Sequence, residues 1–178
     1  VIAFVLDSAG TIKKYSQALF KIASTTTLTA ADSTWELPGV SVSFFGGCES
    51  TMQKKFVIYL EGLDILEDRS AEKVYEEMIK SSSMVDLRNL GYTFAVVNWN
   101  YSYRDIEINA MSVVGLIDTL KKRYPNLPPL VMVGESMGGL VGRYALRWME
   151  TSNYLHDQTH PHLLKMHNTR LFITIDAP

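Results

Sequence analysis

Hydrophobic residues follow two different patterns along this chain, and the change falls near residue 54. Before it, residues 1–6 and 40–45 have the composition of strands, and the second of these segments alternates apolar positions with serines. After it, short apolar runs alternate with longer segments whose apolar residues recur at helical spacing. We therefore predict that residues 1–53 are the end of a β-rich N-terminal module or extension, and that residues 54–178 have a different architecture.

The second part has the pattern of a parallel sheet covered by helices. Apolar runs predict strands at residues 56–60, 94–97, 130–133 and 171–175. Between them, the spacing predicts helices over about residues 70–81, 106–123 and 139–153. Parallel strands that are buried on both faces read as continuous apolar runs. We predict an α/β fold, with a mostly parallel sheet and helices on both of its faces.

The last of these helices carries a stripe of apolar residues. They recur every four positions in two adjacent rows, namely Leu140, Tyr144, Trp148 and Val141, Ala145, Met149. Residues four apart lie on the same face of a helix. We expect this face to be buried against the sheet.

Composition narrows the class of protein without identifying it. The chain has 178 residues, 47% of them apolar and 20% charged, which indicates about one globular domain. The net charge of -2 gives no electrostatic argument for binding nucleic acid or an anionic membrane. No apolar run reaches the roughly 20 residues that cross a bilayer, so we predict no transmembrane segment. The single cysteine, Cys48, excludes an internal disulfide and is expected to be a buried or half-buried thiol.

The motif with the clearest chemistry is a serine on a glycine-flanked turn. Residues 131–139 read V-M-V-G-E-S-M-G-G, so an apolar strand enters G-x-S-x-G and a helix follows. In such a turn, Gly134 and Gly138 allow close approach of the backbone, and Ser136 is presented as a nucleophile. The backbone N–H of Met137 would then bind a developing oxyanion. The alternative is a glycine-rich turn with an incidental serine.

Other loops should meet this serine at one edge of the sheet. Ligand sites of open α/β sheets form beyond the carboxyl ends of the strands. The turn after the first predicted parallel strand contains Gly62, and we predict that the N–H of Leu63 is the second oxyanion donor. The alternative is an ordinary strand-to-helix turn. Asp176, at the end of the last strand, is either the acid of a catalytic triad or a polar strand end.

A serine nucleophile also needs a base, and here the sequence is less informative. All four histidines lie in the loop between the serine's helix and the last strand, which is too near the serine in sequence for the usual base. Spacings of four and two also allow a metal site. Because this loop has no cysteine and contains Pro161, we favour a solvated loop and predict no metal or cofactor. The residues of this alternative are His156, Asp157, His160 and His162, with His167 further along.

At this point the sequence resembles a known family. Residues 134–146, G-E-S-M-G-G-L-V-G-R-Y-A-L, resemble the G-x-S-M-G-G-L-x-x-R-Y-x-L turn and helix of α/β-hydrolase lipases and esterases. The resemblance is strongest to the GPI inositol-deacylase-like and secreted bacterial lipase-like branch, and it covers residues 54–178. It implies that Ser136 is the nucleophile and that Met137 and Leu63 are the oxyanion donors. It also favours a secreted or periplasmic location.

The sequence departs from the family pattern in two places. Many members have His-Gly where this chain has Glu61-Gly62, and the glutamate could hydrogen-bond within its loop or face the pocket. In the family order, the acid and then the histidine follow the serine, usually after the seventh and eighth strands. The resemblance therefore implies a hydrolase fold truncated after its sixth strand, with the catalytic histidine outside this chain. Asp176 is the acid only if this protein is like those lipases whose acid follows the sixth strand.

Two charged neighbours of the serine are expected to have structural roles. Arg143 should form a buried ion pair or bind a loop carbonyl, and Glu135 should be solvated or ion-paired, because the motif leaves its position free.

We therefore expect a serine hydrolase that cleaves carboxylic esters of a lipid or another small molecule. An acyltransferase with the same serine turn is the first alternative, since only the acyl acceptor differs. A non-catalytic hydrolase-like binding module is the second, and a metal-dependent enzyme is a distant third.

Overall fold

The computed structural model describes residues 2–6, 12–17, 29–46, 54–64, 69–151 and 167–177. Strands β1 (Ile2–Leu6) and β2 (Ile12–Gln17) form a separate antiparallel pair. The other described strands form one sheet: β3 (Ser33–Leu37), β4 (Val40–Phe45), β5 (Lys55–Leu60), β6 (Tyr92–Trp99), β7 (Leu130–Glu135) and β8 (Thr169–Ile175). The described helices are α1 (Ala71–Met78), α2 (Ser82–Asn89), α3 (Ile106–Arg123) and α4 (Met137–Thr151).

The six strands lie in the order β3-β4-β6-β5-β7-β8. The neighbouring strands β6, β5, β7 and β8 are parallel to one another. On the other side of β6, β4 pairs with it in the antiparallel direction, and β3 pairs with β4 in the same way. The predicted α/β class with a mostly parallel sheet is confirmed. Because β5 lies between β6 and β7, the chain reverses direction across the sheet at the carboxyl end of β5, where α/β sheets form their ligand sites.

Helices cover both faces of this sheet, as predicted. On β5, the side chains of Phe56 and Ile58 pack into one core with α3 and α4, and those of Val57 and Tyr59 pack into a second core with α1. Since successive side chains of a strand point to opposite faces, this alternation puts the two helix layers on opposite sides.

The strands before residue 54 extend the same sheet. Val42 of β4 lies opposite Val97 of β6, and both are fully buried. The domain boundary after residue 53 stays a prediction. The pairing of β4 with β6 and of β3 with β4, however, places residues 33–45 in the same sheet as β5. Ser43 is also buried, because β4 has covered side chains on both faces.

The helix ends follow local signals. Ser70 caps α1 by accepting a hydrogen bond from the N–H of Lys73, and α3 has the predicted bounds, with Pro125 shortly after it. None of the helices in the described ranges is long and apolar enough to cross a membrane.

The buried face of α4 is narrower than predicted. Val141, Ala145 and Met149 are fully buried, but Tyr144 is 40% exposed. Gly142 explains the difference, because a Cβ at this position would lie 2.7 Å from the Phe172 ring. The helix therefore approaches the sheet along its glycine side, and this turns the row that contains Tyr144 outward.

Candidate active site

Ser136 is the single residue between a strand and a helix. Strand β7 ends at the residue before it, and α4 begins at the residue after it. Its φ of 47° lies in the left-handed region, which is uncommon for a residue other than glycine. The N–H of Ser136 donates to the carbonyl oxygen of Ile175 at 2.8 Å, and its own carbonyl oxygen accepts from the N–H of Gly139 at 2.9 Å. The turn is thus fixed from both sides, at the carboxyl edge of the sheet.

The glycines beside Ser136 are required by close backbone contacts. A Cβ at Gly138 would lie 2.3 Å from the carbonyl oxygen of Leu60, and a Cβ at Gly134 would lie 2.6 Å from the Cα of Gly139. These distances are far below van der Waals contact, and the neighbouring atoms belong to the backbone. The structure therefore accounts for both glycines of the motif by the tightness of the turn.

The turn after β5 lies directly against Ser136. A Cβ at Gly62 would be 3.4 Å from the Cβ of Ser136. Leu63, the next residue, is 50% exposed at the same edge. Met137 is the first residue of α4, where the backbone N–H groups have no partner within the helix. The structure thus brings the two segments that carry the predicted oxyanion donors together around the serine.

Asp176 follows β8, the strand next to β7, and is therefore at the same edge. Its side chain is exposed and its φ is 49°. The preceding residue, Ile175, accepts the hydrogen bond from Ser136. Asp176 is therefore one residue away from a direct contact with the serine turn.

The histidines do not supply a base within the described part of the chain. His167 precedes β8, so it lies at the opposite edge of the sheet, where its Nε2 is 3.3 Å from a carboxylate oxygen of Glu150. No group of three or more His, Cys, Asp and Glu residues in the described ranges could hold a metal ion. The predictions for Cys48, His156, Asp157, His160 and His162 concern residues outside those that the structure describes.

Glu61 is buried beneath the turn that contains Gly62, with only 3% of its surface exposed. Its Oε2 accepts a hydrogen bond from Asn98 at 2.8 Å, while its Oε1 has no hydrogen-bond partner among the described residues. Its backbone carbonyl accepts from the indole N–H of Trp99, also at 2.8 Å. Burial raises the pKa of Glu61 to about 7, because a carboxylate loses hydration there. The hydrogen bond of the Glu61 side chain is therefore to Asn98 of β6 and not within its own loop, as one of the two alternatives had it.

Glu135, the residue before the serine, is ion-paired, which agrees with one of its two predicted roles. Its Oε2 accepts hydrogen bonds from the Tyr59 hydroxyl at 2.6 Å and from Arg69 at 2.7 Å. Arg69 also pairs with Glu77 of α1 at 2.8 Å. Burial and the neighbouring Glu135 carboxylate raise the pKa of Tyr59 well above its usual value. These bonds tie the first helix to the serine turn.

A groove of about 670 Å³ runs between the start of α3 and α4. Arg143 is exposed and lines this groove, so one of its two predicted roles, a buried ion pair, is wrong. The outward rotation of the row that contains Tyr144 explains the error, since Arg143 is adjacent to this row. The lining residues are Arg104, Asp105, Ile106, Glu107, Leu140, Arg143, Tyr144 and Arg147.

The buried carboxyl group of Glu61 gives a pH-dependent prediction. The folded protein holds the Glu61 proton up to about pH 7, whereas the ordinary pKa is 4.5, so the folded state binds more protons between these values and stability falls as pH rises. Glu61→Gln lacks this titration. The difference in unfolding free energy, Glu61→Gln minus wild type, should therefore increase as the pH rises from 4.5 to about 7, by at most about 1.4 kcal/mol per pH unit.

Urea denaturation at pH 4.5, 6 and 7.5 measures this difference. The matched control is Glu36→Gln on an exposed position of β3, which should show a nearly constant difference from the wild type. An equally constant difference for Glu61→Gln would contradict the prediction.

The fold is similar to those of several solved hydrolases. One is a mature lipase from Bacillus licheniformis, with 16% sequence identity and a TM-score of 0.47 over 76% of this chain and 46% of that chain. Another is a thioesterase domain from the curacin biosynthetic pathway, with 16% identity and a TM-score of 0.43 over 84% of this chain and 47% of that chain. A thermophilic esterase from Thermogutta terrifontis is also similar, with 10% identity and a TM-score of 0.47 over 78% of this chain and 49% of that chain. This chain spans about half the length of each. No protein-family model and no curated protein sequence matches it.

Proposed function

We propose that this chain is part of a serine hydrolase that cleaves carboxylic esters through an acyl-enzyme on Ser136. The observation that carries the proposal is the conformation of this residue. Ser136 has a left-handed backbone between a parallel strand and the N-terminus of a helix, and glycines without room for a Cβ surround it. A side chain held in a sparsely populated conformation by its surroundings is typical of functional sites.

The proposed reaction has two half-reactions. The Ser136 hydroxyl oxygen attacks the acyl carbonyl carbon, its proton passes to a general base, and the carbonyl electron pair moves onto oxygen. The N–H groups of Met137 and Leu63 bind this oxyanion. Collapse of the intermediate expels the alcohol, which takes the proton from the base. Water then attacks the acyl-enzyme in the same way and releases the acid. We expect the base to be a histidine that lies outside the described residues.

Asp176 is the candidate for the group that orients this histidine. Its position at the end of β8, beside the serine turn, supports this role. A base that contacts Ser136 must lie at the carboxyl edge of the sheet, where Asp176 also lies. We propose the role for Asp176 together with the nucleophile, as part of one site.

A fluorophosphonate probe on the full-length protein tests the proposal. Such probes react with activated serines, so we expect one covalent adduct, located on Ser136 by peptide mass spectrometry. Ser136→Ala should not be labelled, whereas Ser41→Ala, which removes a surface hydroxyl of β4, should be labelled like the wild type. Labelling that survives Ser136→Ala, or no labelling of the wild type, would overturn the proposal.

A further inference from the structure

We propose that the groove between α3 and α4 binds the negatively charged group of an amphiphilic ester, so that the substrate carries a carboxylate or phosphate in addition to its reacting acyl group. This inference rests on the proposed function, because it takes Ser136 as the reacting residue. It adds the chemical class of the substrate and the residues that select it.

The groove lies along the helix that begins directly after the serine. Along α4, the positions of Leu140, Tyr144 and Arg147 follow Ser136 at intervals of three or four residues and therefore lie on one helix face. With a rise of about 1.5 Å per residue, Leu140 is about 6 Å and Arg147 about 16 Å along the axis from Ser136. A ligand between about 6 and 16 Å long therefore spans the distance from the serine to the residues of the groove.

Part of the groove lining is apolar. Ile106 and Leu140 are partly buried, and Tyr144 exposes 40% of its surface. Exposure of an aromatic residue in the middle of a helix is explained by Gly142, which brings the opposite side of α4 against the sheet. The groove therefore offers hydrocarbon contact to a ligand.

Arginines outnumber carboxylates by one among the residues that line the groove. Three arginines line it, against two acidic residues, Asp105 and Glu107. The Arg104 guanidinium carbon lies 4.2 Å from the centre of the Tyr101 ring, a cation–π contact that holds this side chain at the groove. Arg143, on the opposite wall, makes no ion pair with a carboxylate of the described chain.

Arg104 and Arg143 belong to different structural elements. Arg104 comes from the loop after β6, and Arg143 comes from α4. Guanidinium groups bind carboxylates and phosphates through paired N–H donors, and such charged hydrogen bonds are among the stronger ones in proteins. Arg147 contributes less, because it already contacts Glu150 at 3.4 Å. The anion site is therefore assigned to Arg104 and Arg143.

Binding is measured first in the full-length Ser136→Ala variant, which cannot turn over an ester. The probes for calorimetry are octanoate, octyl phosphate and octan-1-ol, which share a chain and differ in charge. We expect both anions to bind at least about tenfold more tightly than the alcohol, and Arg143→Gln to remove this preference. Arg104→Gln should have the same effect. Arg170→Gln, an exposed arginine of β8 outside the groove, is the matched control and should leave binding unchanged.

A second arm uses the active protein with two activated esters, p-nitrophenyl pentanoate and the p-nitrophenyl monoester of glutaric acid. We expect kcat/KM to favour the charged ester, and Arg143→Gln to lower kcat/KM for the charged ester much more than for the neutral ester, so that the preference is lost. Equal affinity for octanoate and octan-1-ol, or a preference that survives both arginine substitutions, would overturn the inference. Anion binding without any ester hydrolysis would leave the groove assignment intact and reject the proposed function instead.

Discussion

Ser136→Gly in the full-length protein is expected to abolish ester hydrolysis and at the same time to stabilise the fold. Loss of the proposed nucleophile should lower kcat/KM by at least about 10³-fold, because only substrate binding and the proposed oxyanion donors remain. The φ of 47° strains any residue with a Cβ, and glycine relieves this strain. We expect the unfolding free energy to increase by about 1 kcal/mol, since relief of strain exceeds the larger backbone entropy of unfolded glycine.

Ser136→Ala separates the two effects. Alanine also lacks the nucleophile, so hydrolysis should be lost equally, but its Cβ keeps the strain and stability should stay near that of the wild type. Hydrolysis of p-nitrophenyl butyrate and urea denaturation measure the two quantities. Equal stability of the glycine and alanine variants would show that the conformation of Ser136 is not strained. Retained hydrolysis in either variant would reject Ser136 as the nucleophile.

Gly138→Ala is expected to have the largest effect on stability. The new methyl group would lie 2.3 Å from the carbonyl oxygen of Leu60 and 2.6 Å from that of Glu61, and backbone atoms cannot rotate away as a side chain does. We expect a loss of about 3 kcal/mol in unfolding free energy, at the upper end of the usual cost of overpacking. Displacement of the serine turn by even about 1 Å should also lower kcat/KM by about 10²-fold.

The control for this substitution is Gly115→Ala in α3. A Cβ at Gly115 would meet no atom within 4 Å. Because alanine has a higher helix propensity, this variant should be more stable than the wild type by up to about 1 kcal/mol. Thermal and urea denaturation compare the two variants directly. If Gly138→Ala were tolerated as well as Gly115→Ala, the close packing of the serine turn on β5 would be wrong.

Local sequence patterns were sufficient for the four parallel strands, for α3 and α4 and for the position of the serine, but β2, β3 and α2 were not predicted. The apolar runs of β5 and β7 and the helical spacing of α3 reflect burial, which acts on each segment by itself. The two glycines around Ser136 likewise have a local cause, since a strand that turns directly into a helix leaves no space for side chains. The joining of β4 to β6 could not be predicted, because antiparallel pairing across an intervening strand and helices leaves no signal within either segment.

The buried face of α4 shows where local patterns fail. Its apolar residues occupy two adjacent rows, and periodicity alone gives no reason to prefer one of them. The small side of the helix at Gly142 packs against Phe172 of β8, so the row of Val141, Ala145 and Met149 is buried. This choice exposes Tyr144 and Arg143 and thereby creates the groove.

The sequence by itself determined the order of the four parallel strands along the chain, the serine turn and its glycines, because these depend on patterns and contacts of residues close in the chain. Only the tertiary structure decided which polar groups meet beneath that turn. Glu61 binds Asn98, 37 residues away, and Glu135 binds Arg69, 66 residues away. These pairs exist because β5 lies between β6 and β7, so the carboxyl ends of three strands meet at one edge of the sheet. Strand order is a property of the whole sheet, and no single segment of the sequence encodes it.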